Sequence, residues 1–502
     1  MSSTMLAAIT NRTKFFIEEM PKVKRKKKGQ FFTSMETARF MVGMFDLSLL
    51  PEHVRILDPG TGSGILSAAI ISRLNEASTV KSIHLTCYET DPEILSLLHD
   101  NLIIIKQLSA IPVEYDLVID DYILSQQNDF EGTLLANPSA PKYDLIIANP
   151  PYLRIMRDKA TALAMSTVVH GAPNLYFLFA SMSLFNLKPG SEMVYIIPRS
   201  WTSGLYFQHF RKYLLTNGKL IDIHLFLSRD TVFRDEEVLQ ETIIIKVKKS
   251  SETPKTVLVT SSRNDSDFDN ISAISVPYTT IVSGKDFYVF LPTCSEEMDV
   301  INKIHFYNKT LPEEGLRMRT GIVVDFRQWD ELRKGPGEHI VPLFYSQHIR
   351  NGRVHHDPSG RDYDWIVDEK PGLIQKNKNY VFCKRFTAKE EHRRLQCGIY
   401  LADDFPEYTF IGTQNKLNYV EPTDGSDMDK PTAYGIYALL NSTLFDRYYR
   451  VLNGSTQVNS TEVNSIPVPP VKIIKQIGEK IIASGDLTTQ ACDNIVMEMA
   501  YE

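Results

Sequence analysis

Tyr143-Asp144-Leu145-Ile146-Ile147-Ala148-Asn149-Pro150-Pro151-Tyr152 decides how this chain is read. The first six residues form an apolar run of strand length, and the last four close it. Open α/β sheets bind their ligands beyond the carboxyl ends of strands, so this tetrapeptide is predicted to face a ligand cleft. The Asn149 side-chain carbonyl can accept a hydrogen bond from an amine. The two prolines stiffen the backbone, so the Pro150 carbonyl can be held toward the same amine. Tyr152 offers a ring face to a flat heterocycle. Taken alone, the tetrapeptide fits a Pro-Pro turn with a packed tyrosine equally well. The residues upstream separate the two readings.

Asp58-Pro59-Gly60-Thr61-Gly62-Ser63-Gly64 follows an earlier apolar run, Val54–Leu57, and precedes a helix-like stretch, Ile65–Leu74. Glycines there let backbone approach a ligand. A G-x-G-x-G run also occurs in NAD sites, so it is weak evidence by itself. Two further acidic residues stand at the ends of the next strands. Glu89 follows His84–Tyr88 and can accept from both ribose hydroxyls. Asp121, in Ile119-Asp120-Asp121-Tyr122, can accept from an adenine amine or serve only as a turn cap. A carboxylate at Asp58, beside the glycine loop, suits the cationic methionine portion of S-adenosylmethionine. A dinucleotide pyrophosphate requires the opposite polarity.

The chain has 502 residues, 43% hydrophobic and 23% charged, with net charge −6. That length accommodates two to three domains. The acidic balance excludes a globally basic nucleic-acid binder, so any DNA contact must come from local basic surface. The five cysteines include no C-x-x-C pair, which argues against a zinc site and for reduced thiols. There is no signal-peptide pattern and no 18-residue apolar run. We expect a cytoplasmic, monomeric protein without a metal and without membrane attachment.

Candidate strands alternate with helical patterns from about 54 to 250: Val54–Leu57, Ser82–Tyr88, Leu117–Ile119, Leu145–Ala148, Met193–Ile197, Ile221–Leu227 and Thr242–Val247. This alternation predicts a doubly wound, mostly parallel sheet of seven strands, the last two an antiparallel pair. Residues 249–275 are polar and read as loops around one short strand. Ahead of the sheet, Lys22–Lys28 is a basic run that can serve as a phosphate-contacting arm. The alternation is lost in the carboxyl-terminal part, which is read as a second α/β domain. The boundary is placed so that 1–290 is catalytic and 291–502 is separate. In the second part Lys376, Lys378, Lys384, Arg385, Lys389, Arg393 and Arg394 crowd together with Tyr380, Phe382 and Phe386 among them. Lys384, Arg385, Arg393 and Arg394 are candidate DNA contacts; a solvated charged face is the plainer reading.

The motifs resemble, in order and along nearly the whole chain, the gamma-class N6-adenine DNA methyltransferases of type II restriction–modification systems. Gly29-Gln30-Phe31-Phe32-Thr33 resembles the leading motif, which implies that Phe32 and Thr33 hold the methionine end of S-adenosylmethionine. By the same resemblance Asp58, Gly60, Gly62, Glu89, Asp121, Tyr122 and Asn149 bind the cofactor, and Asn149, Pro150 and Tyr152 are catalytic. Asn174-Leu175-Tyr176 and Ile196–Ser200 resemble later motifs, with Asn174 on the substrate side. Thr231-Val232-Phe233 resembles the segment that brings a second aromatic, so Tyr152 and Phe233 are expected to sandwich a flipped-out adenine. Lys384–Arg394, Leu440-Asn441-Ser442 and Gly454–Asn459 are similar to the PstI/BsuBI type of modification methylase. That type implies duplex DNA as partner, CTGCAG as target, a carboxyl-terminal recognition domain and a cognate restriction endonuclease. Two other readings share the central motifs. One is a methyltransferase for RNA or a protein glutamine amide; the other is a non-catalytic DNA-binding subunit, which would not need an intact cofactor loop together with the tetrapeptide.

Overall fold

The computed structural model describes every residue except 1, 21–28, 30, 49, 77–78, 138–139, 228–240, 358–360, 389, 454 and 502. The basic run Lys22–Lys28, the Thr231–Phe233 segment and Lys389 therefore lie outside the described residues. The chain divides into two compact units, Met1–Thr293 and Cys294–Glu502.

The first unit is built on a nine-stranded mixed sheet. Its strands are β1 (His53–Pro59), β2 (Ser82–Tyr88), β3 (Val113–Val118), β4 (Tyr143–Ala148), β5 (Leu187–Pro198), β6 (Lys219–Phe226), β7 (Thr242–Lys248), β8 (Thr256–Ser262) and β9 (Ser272–Pro277). They lie in the order β3-β2-β1-β4-β5-β7-β6-β8-β9. The pairs from β3 across to β5 are parallel, while β7 runs antiparallel to both β5 and β6. Every residue of β4 is buried, as its unbroken apolar run requires of a central parallel strand.

Six longer helices accompany the sheet: α1 (Ser2–Glu19), α2 (Met35–Gly43), α3 (Ile65–Leu74), α4 (Pro92–Leu108), α5 (Leu175–Asn186) and α6 (Gln208–Asn217). Strand order reverses between β1 and β4. Right-handed crossovers on either side of that reversal send α3 and α4 to one face and α5 to the other. The loops that leave β1 and β4 consequently diverge and open a crevice at the carboxyl ends of the strands.

The expected count of seven strands is corrected to nine. Residues 249–275 look like loops because β8 and β9 are rich in Ser and Thr. Yet Val257 and Val259 alternate into the core along β8, and β9 is a largely exposed edge strand that has little need of apolar side chains. The third strand also begins earlier than expected. Glu114 and Asp116 face outward from the opposite edge, so an edge strand passed for a polar connection.

The second unit contains a six-stranded and a five-stranded sheet. The longer strands of the first are Leu316–Thr320, Leu417–Pro422, Tyr380–Lys384 and Cys397–Tyr400, all in antiparallel pairs. An aromatic cluster of Phe344, Tyr380, Phe382, Tyr400 and Tyr419 fills its core. Helices Lys430–Asn441 and Val471–Ser484 cross at backbone contact. A Cβ on Gly435 would lie 1.9 Å from the Ile474 carbonyl oxygen, and one on Gly478 would lie 1.7 Å from that of Pro431. No helix among the described residues is long and apolar enough to cross a membrane.

Candidate active site

A cavity of about 490 Å³ opens in the first unit at the ends of β1, β2 and β4. Gly60, Glu89, Asp121, Tyr122, Asn149 and Phe32 lie in its wall, together with Phe31, Asp91, Asp120, Pro151 and Phe179. Among the described residues the wall carries four carboxyl side chains and no basic one. A pyrophosphate would be repelled there, whereas ribose hydroxyls and a cationic ligand would be accepted.

The loop after β1 is shaped by Glu89. Its Oε2 accepts from the Gly62 N–H at 2.9 Å, and its Oε1 accepts from the N–H groups of Thr90 and Asp91 at 2.8 Å each. Glu89 is 8% exposed, and burial is the main reason its carboxyl is held above the ordinary glutamate range. Each oxygen keeps lone-pair capacity for a further donor. Gly60 has φ +68°, and a Cβ there would sit 3.4 Å from the Phe179 ring, so only glycine lets the loop pass so near the cavity. Asn101, which no local pattern marks, supports the loop from α4 by donating to the Ser63 carbonyl at 2.8 Å.

Asp58 departs from its expected role. It is 1% exposed and does not line the cavity. Its Oδ2 accepts from Ser67 Oγ at 2.6 Å, which ties the end of β1 to α3. Its Oδ1, like that of Asn149, is buried with no hydrogen-bond partner among the described residues. Burial pushes the Asp58 pKa up to about 7, with the nearby Glu89 charge adding to the rise. A carboxyl whose folded pKa lies above its unfolded one binds more protons when folded. Its stability contribution is complete below the ordinary value of 3.8 and is lost as pH rises through about 7. Asp58→Asn should therefore give a shallower fall of melting temperature between pH 4 and 7 than the parent chain. Calorimetric melts across that range check this, and parallel profiles would refute it.

Asn149 occupies the end of β4. Its Nδ2 donates to the Phe31 carbonyl at 2.7 Å and to Thr33 Oγ1 at 3.1 Å. Its Oδ1 is buried and has no hydrogen-bond partner among the described residues. Such an orphaned acceptor is costly unless a ligand completes it. Tyr152 is 9% exposed and is not in the cavity wall. Its hydroxyl donates to the Ile196 carbonyl at 3.0 Å, and its ring lies 5.4 Å from that of Phe31 and 6.2 Å from that of Tyr176.

Other expected site residues carry structural duties. Asp121 accepts from the N–H groups of Ile123 and Leu124, both at 2.9 Å, as a turn cap would. Tyr122 is buried, its hydroxyl 2.9 Å from that of Ser183. Asn174 caps α5 through the Tyr176 N–H at 3.3 Å. Phe31 and Phe179 line the cavity but were not expected there. Phe31 was legible only as a neighbour of Phe32, and Phe179 lies in a uniformly apolar helix.

In the second unit the basic cluster splits. Arg394 is 0% exposed. It donates to Thr387 Oγ1 at 3.2 Å and to the Ser455 carbonyl at 2.7 Å. Arg393 donates to the carbonyls of Leu440 and Ser442 at 3.3 and 3.1 Å, at the end of helix Lys430–Asn441. The expectation that Arg394 touches DNA is therefore corrected, while Arg393 stays partly exposed. These guanidiniums donate to backbone carbonyls of their own unit, that of Ser442 also accepting from the Asp446 N–H at 3.2 Å. They also explain why the Lys384–Arg394, Leu440–Ser442 and 454–459 segments occur together: they are one clasp. Lys384 and Arg385 remain partly exposed, with Arg385 donating to the Asn415 carbonyl at 2.9 Å.

The Eco57I restriction-modification methylase family matches residues 71–233. The type II methyltransferase M.BsuBI of Bacillus subtilis is 34% identical over 461 residues, 90% of each chain. The type II methyltransferase M.PstI of Providencia stuartii is 35% identical over 468 residues, 91% of this chain and 90% of its own. Among solved structures, the cryo-EM DrdV–DNA complex shares the fold, with a TM-score of 0.51 at 14% identity over 97% of this chain and 60% of that one.

Proposed function

The chain belongs to the type II DNA methyltransferases of restriction–modification systems, alongside M.BsuBI and M.PstI, and we propose that it methylates N6 of an adenine flipped out of a short palindromic duplex site, CTGCAG. The observation that carries this reading is the buried, unpartnered Asn149 Oδ1 at the end of β4. It is an acceptor awaiting a donor, and an exocyclic amine supplies one.

S-adenosylmethionine fits the acidic, nucleoside-sized cavity, with Glu89 toward the ribose and Gly60 and Phe179 beside it. When bound, it supplies an electrophilic methyl group on a sulfonium centre. Asn149 Oδ1 accepts one N6–H and the Pro150 carbonyl accepts the other. The two bonds draw the nitrogen lone pair out of conjugation and aim it at the methyl carbon. With the cofactor bound, the amine so held by Asn149 and Pro150 would receive its methyl group, the C–S bond electrons would stay on sulfur, and the N6 proton would pass to solvent. Alignment of this kind can lower a barrier by about 7–11 kcal/mol.

The extruded base stacks on Tyr152, whose ring lies 5.4 Å from that of Phe31 at a tilt of 36°. Phe233 is the second stacking aromatic by resemblance. Residues 294–502 form the target-recognition unit, with Lys384 and Arg385 contacting DNA. The protein works as a cytoplasmic monomer that protects its sites from a cognate endonuclease.

Transfer of tritiated methyl from S-adenosylmethionine should label duplex DNA containing CTGCAG and yield N6-methyladenine on hydrolysis. A scrambled duplex, RNA and bulk protein should stay unlabelled. Label confined to RNA or to a glutamine amide would overturn the reading. N6-methyladenine at another sequence would overturn only the proposed site.

A further inference from the structure

We propose that Thr33 is a positioning residue for methyl transfer, which acts by anchoring the Asn149 amide at a second point beside the Phe31 carbonyl rather than by holding the cofactor. This inference rests on the reading of Asn149 Oδ1 as the acceptor for the target amine.

A carboxamide presents two N–H donors on one side and a carbonyl on the other, and either face can turn toward a ligand. Only the carbonyl face is useful for gripping an amine. Both donors of Asn149 are engaged, by the Phe31 carbonyl at 2.7 Å and by Thr33 Oγ1 at 3.1 Å. The Phe31 carbonyl can only accept. Rotating the amide by half a turn would set two oxygens against each other at that short separation. Thr33 provides the second anchor, so that the amide is held at two points and cannot swing about a single bond. Oδ1 is left as the atom without a partner.

The strip that carries these groups is itself fixed. The Tyr152 N–H donates to the Gly29 carbonyl at 3.0 Å. Gly29 has φ +66°, and a Cβ there would come within 3.0 Å of the Tyr152 backbone. At its other end, Ser34 caps α2 by accepting from the Thr37 N–H at 3.1 Å. Gly29 and residues 31–33 thus lie along Asn149–Leu153, pinned by a backbone bond on one side and a helix start on the other. Thr33 is buried and does not line the cavity. A residue that held the cofactor would be expected in its wall.

The test compares Thr33→Val, which keeps the shape and removes the hydroxyl, with Thr33→Ser, which keeps the hydroxyl. We expect Thr33→Val to lower kcat about tenfold, the scale of one lost hydrogen bond, with KM for S-adenosylmethionine changed by less than about twofold. Thr33→Ser should restore kcat. In single turnovers, Thr33→Val should add no further loss to Asn149→Ala, because the amide it orients is gone. An unchanged kcat, a rise confined to KM for the cofactor, a serine variant as slow as the valine one, or an additive double variant would each overturn the proposal. Thermal melts accompany each variant, and Thr33→Ala replaces the valine variant if that one does not fold. If the parent chain itself places no methyl on adenine N6, the reading of Asn149 fails. If the parent does and Thr33→Val matches it, only the role of Thr33 fails.

Discussion

Asn149→Ala should bind S-adenosylmethionine as the parent chain does and transfer methyl about 10²–10³-fold more slowly, the range seen when one preorganised transition-state hydrogen bond is removed. The expectation follows from the position of one atom. Oδ1 is the only side-chain acceptor that the end of β4 offers to the cavity, and nothing else among the described residues occupies it. The cofactor side of the cavity is held by Glu89 and the glycine loop, which Asn149 does not touch. Titration calorimetry with the cofactor and single-turnover transfer onto duplex DNA separate the two effects. A turnover near the parent value would remove Asn149 from the mechanism. Asn149→Asp sharpens the test. It keeps an acceptor but sets a second oxygen where Nδ2 now donates to Phe31 at 2.7 Å. Its activity relative to the parent should rise as pH falls, since the protonated carboxyl regains a donor on that side and leaves a carbonyl on the other.

Glu89→Ala should lose cofactor binding and stability together. Three N–H groups, of Gly62, Thr90 and Asp91, would lose their acceptor. Each buried orphan costs about 1–3 kcal/mol, so the loop that forms the cavity should no longer hold its shape. We expect cofactor affinity to fall at least about a hundredfold, which is about 2.7 kcal/mol, and the melting temperature to drop. Glu89→Gln isolates the geometry. One amide oxygen can still receive Thr90 and Asp91, but an NH2 group would then face the Gly62 N–H. Its loss should therefore be intermediate. Cofactor affinity within about twofold of the parent in the alanine variant would show that the loop is held by other means.

The two kinds of residue differ in how far they were legible. Glu89 could be read because it ends a recognisable strand, and strand ends are a local pattern. Phe31 could not be read as a cavity residue, because its ring reaches Tyr152 across more than a hundred positions of chain. Asp58 misled for the opposite reason. Its neighbours in sequence form the cavity loop, but its own side chain turns back toward Ser67 on α3. The basic cluster misled most. Charge in sequence suggests solvent or phosphate, yet Arg393 and Arg394 face backbone carbonyls brought to them by the turns at 440–442 and 455. In the sheet, only one short strand was expected where β8 and β9 lie, because strands near an edge tolerate Ser and Thr, so composition there resembles a loop.

Periodicity, strand-end chemistry and motif order, all local properties, were enough to read a parallel-cored α/β sheet from the sequence and to propose a cofactor loop and an amine-gripping tetrapeptide. Tertiary structure alone decided which polar atoms remain unsatisfied. Hydrogen-bond capacity is used up by partners far away in the chain: Asn149 is completed by Thr33, 116 residues earlier, and Arg394 by Ser455, 61 residues later. Asn149 is thereby left with Oδ1 unpartnered among the described residues, whereas the buried Arg394 guanidinium is turned to the backbone of its own unit.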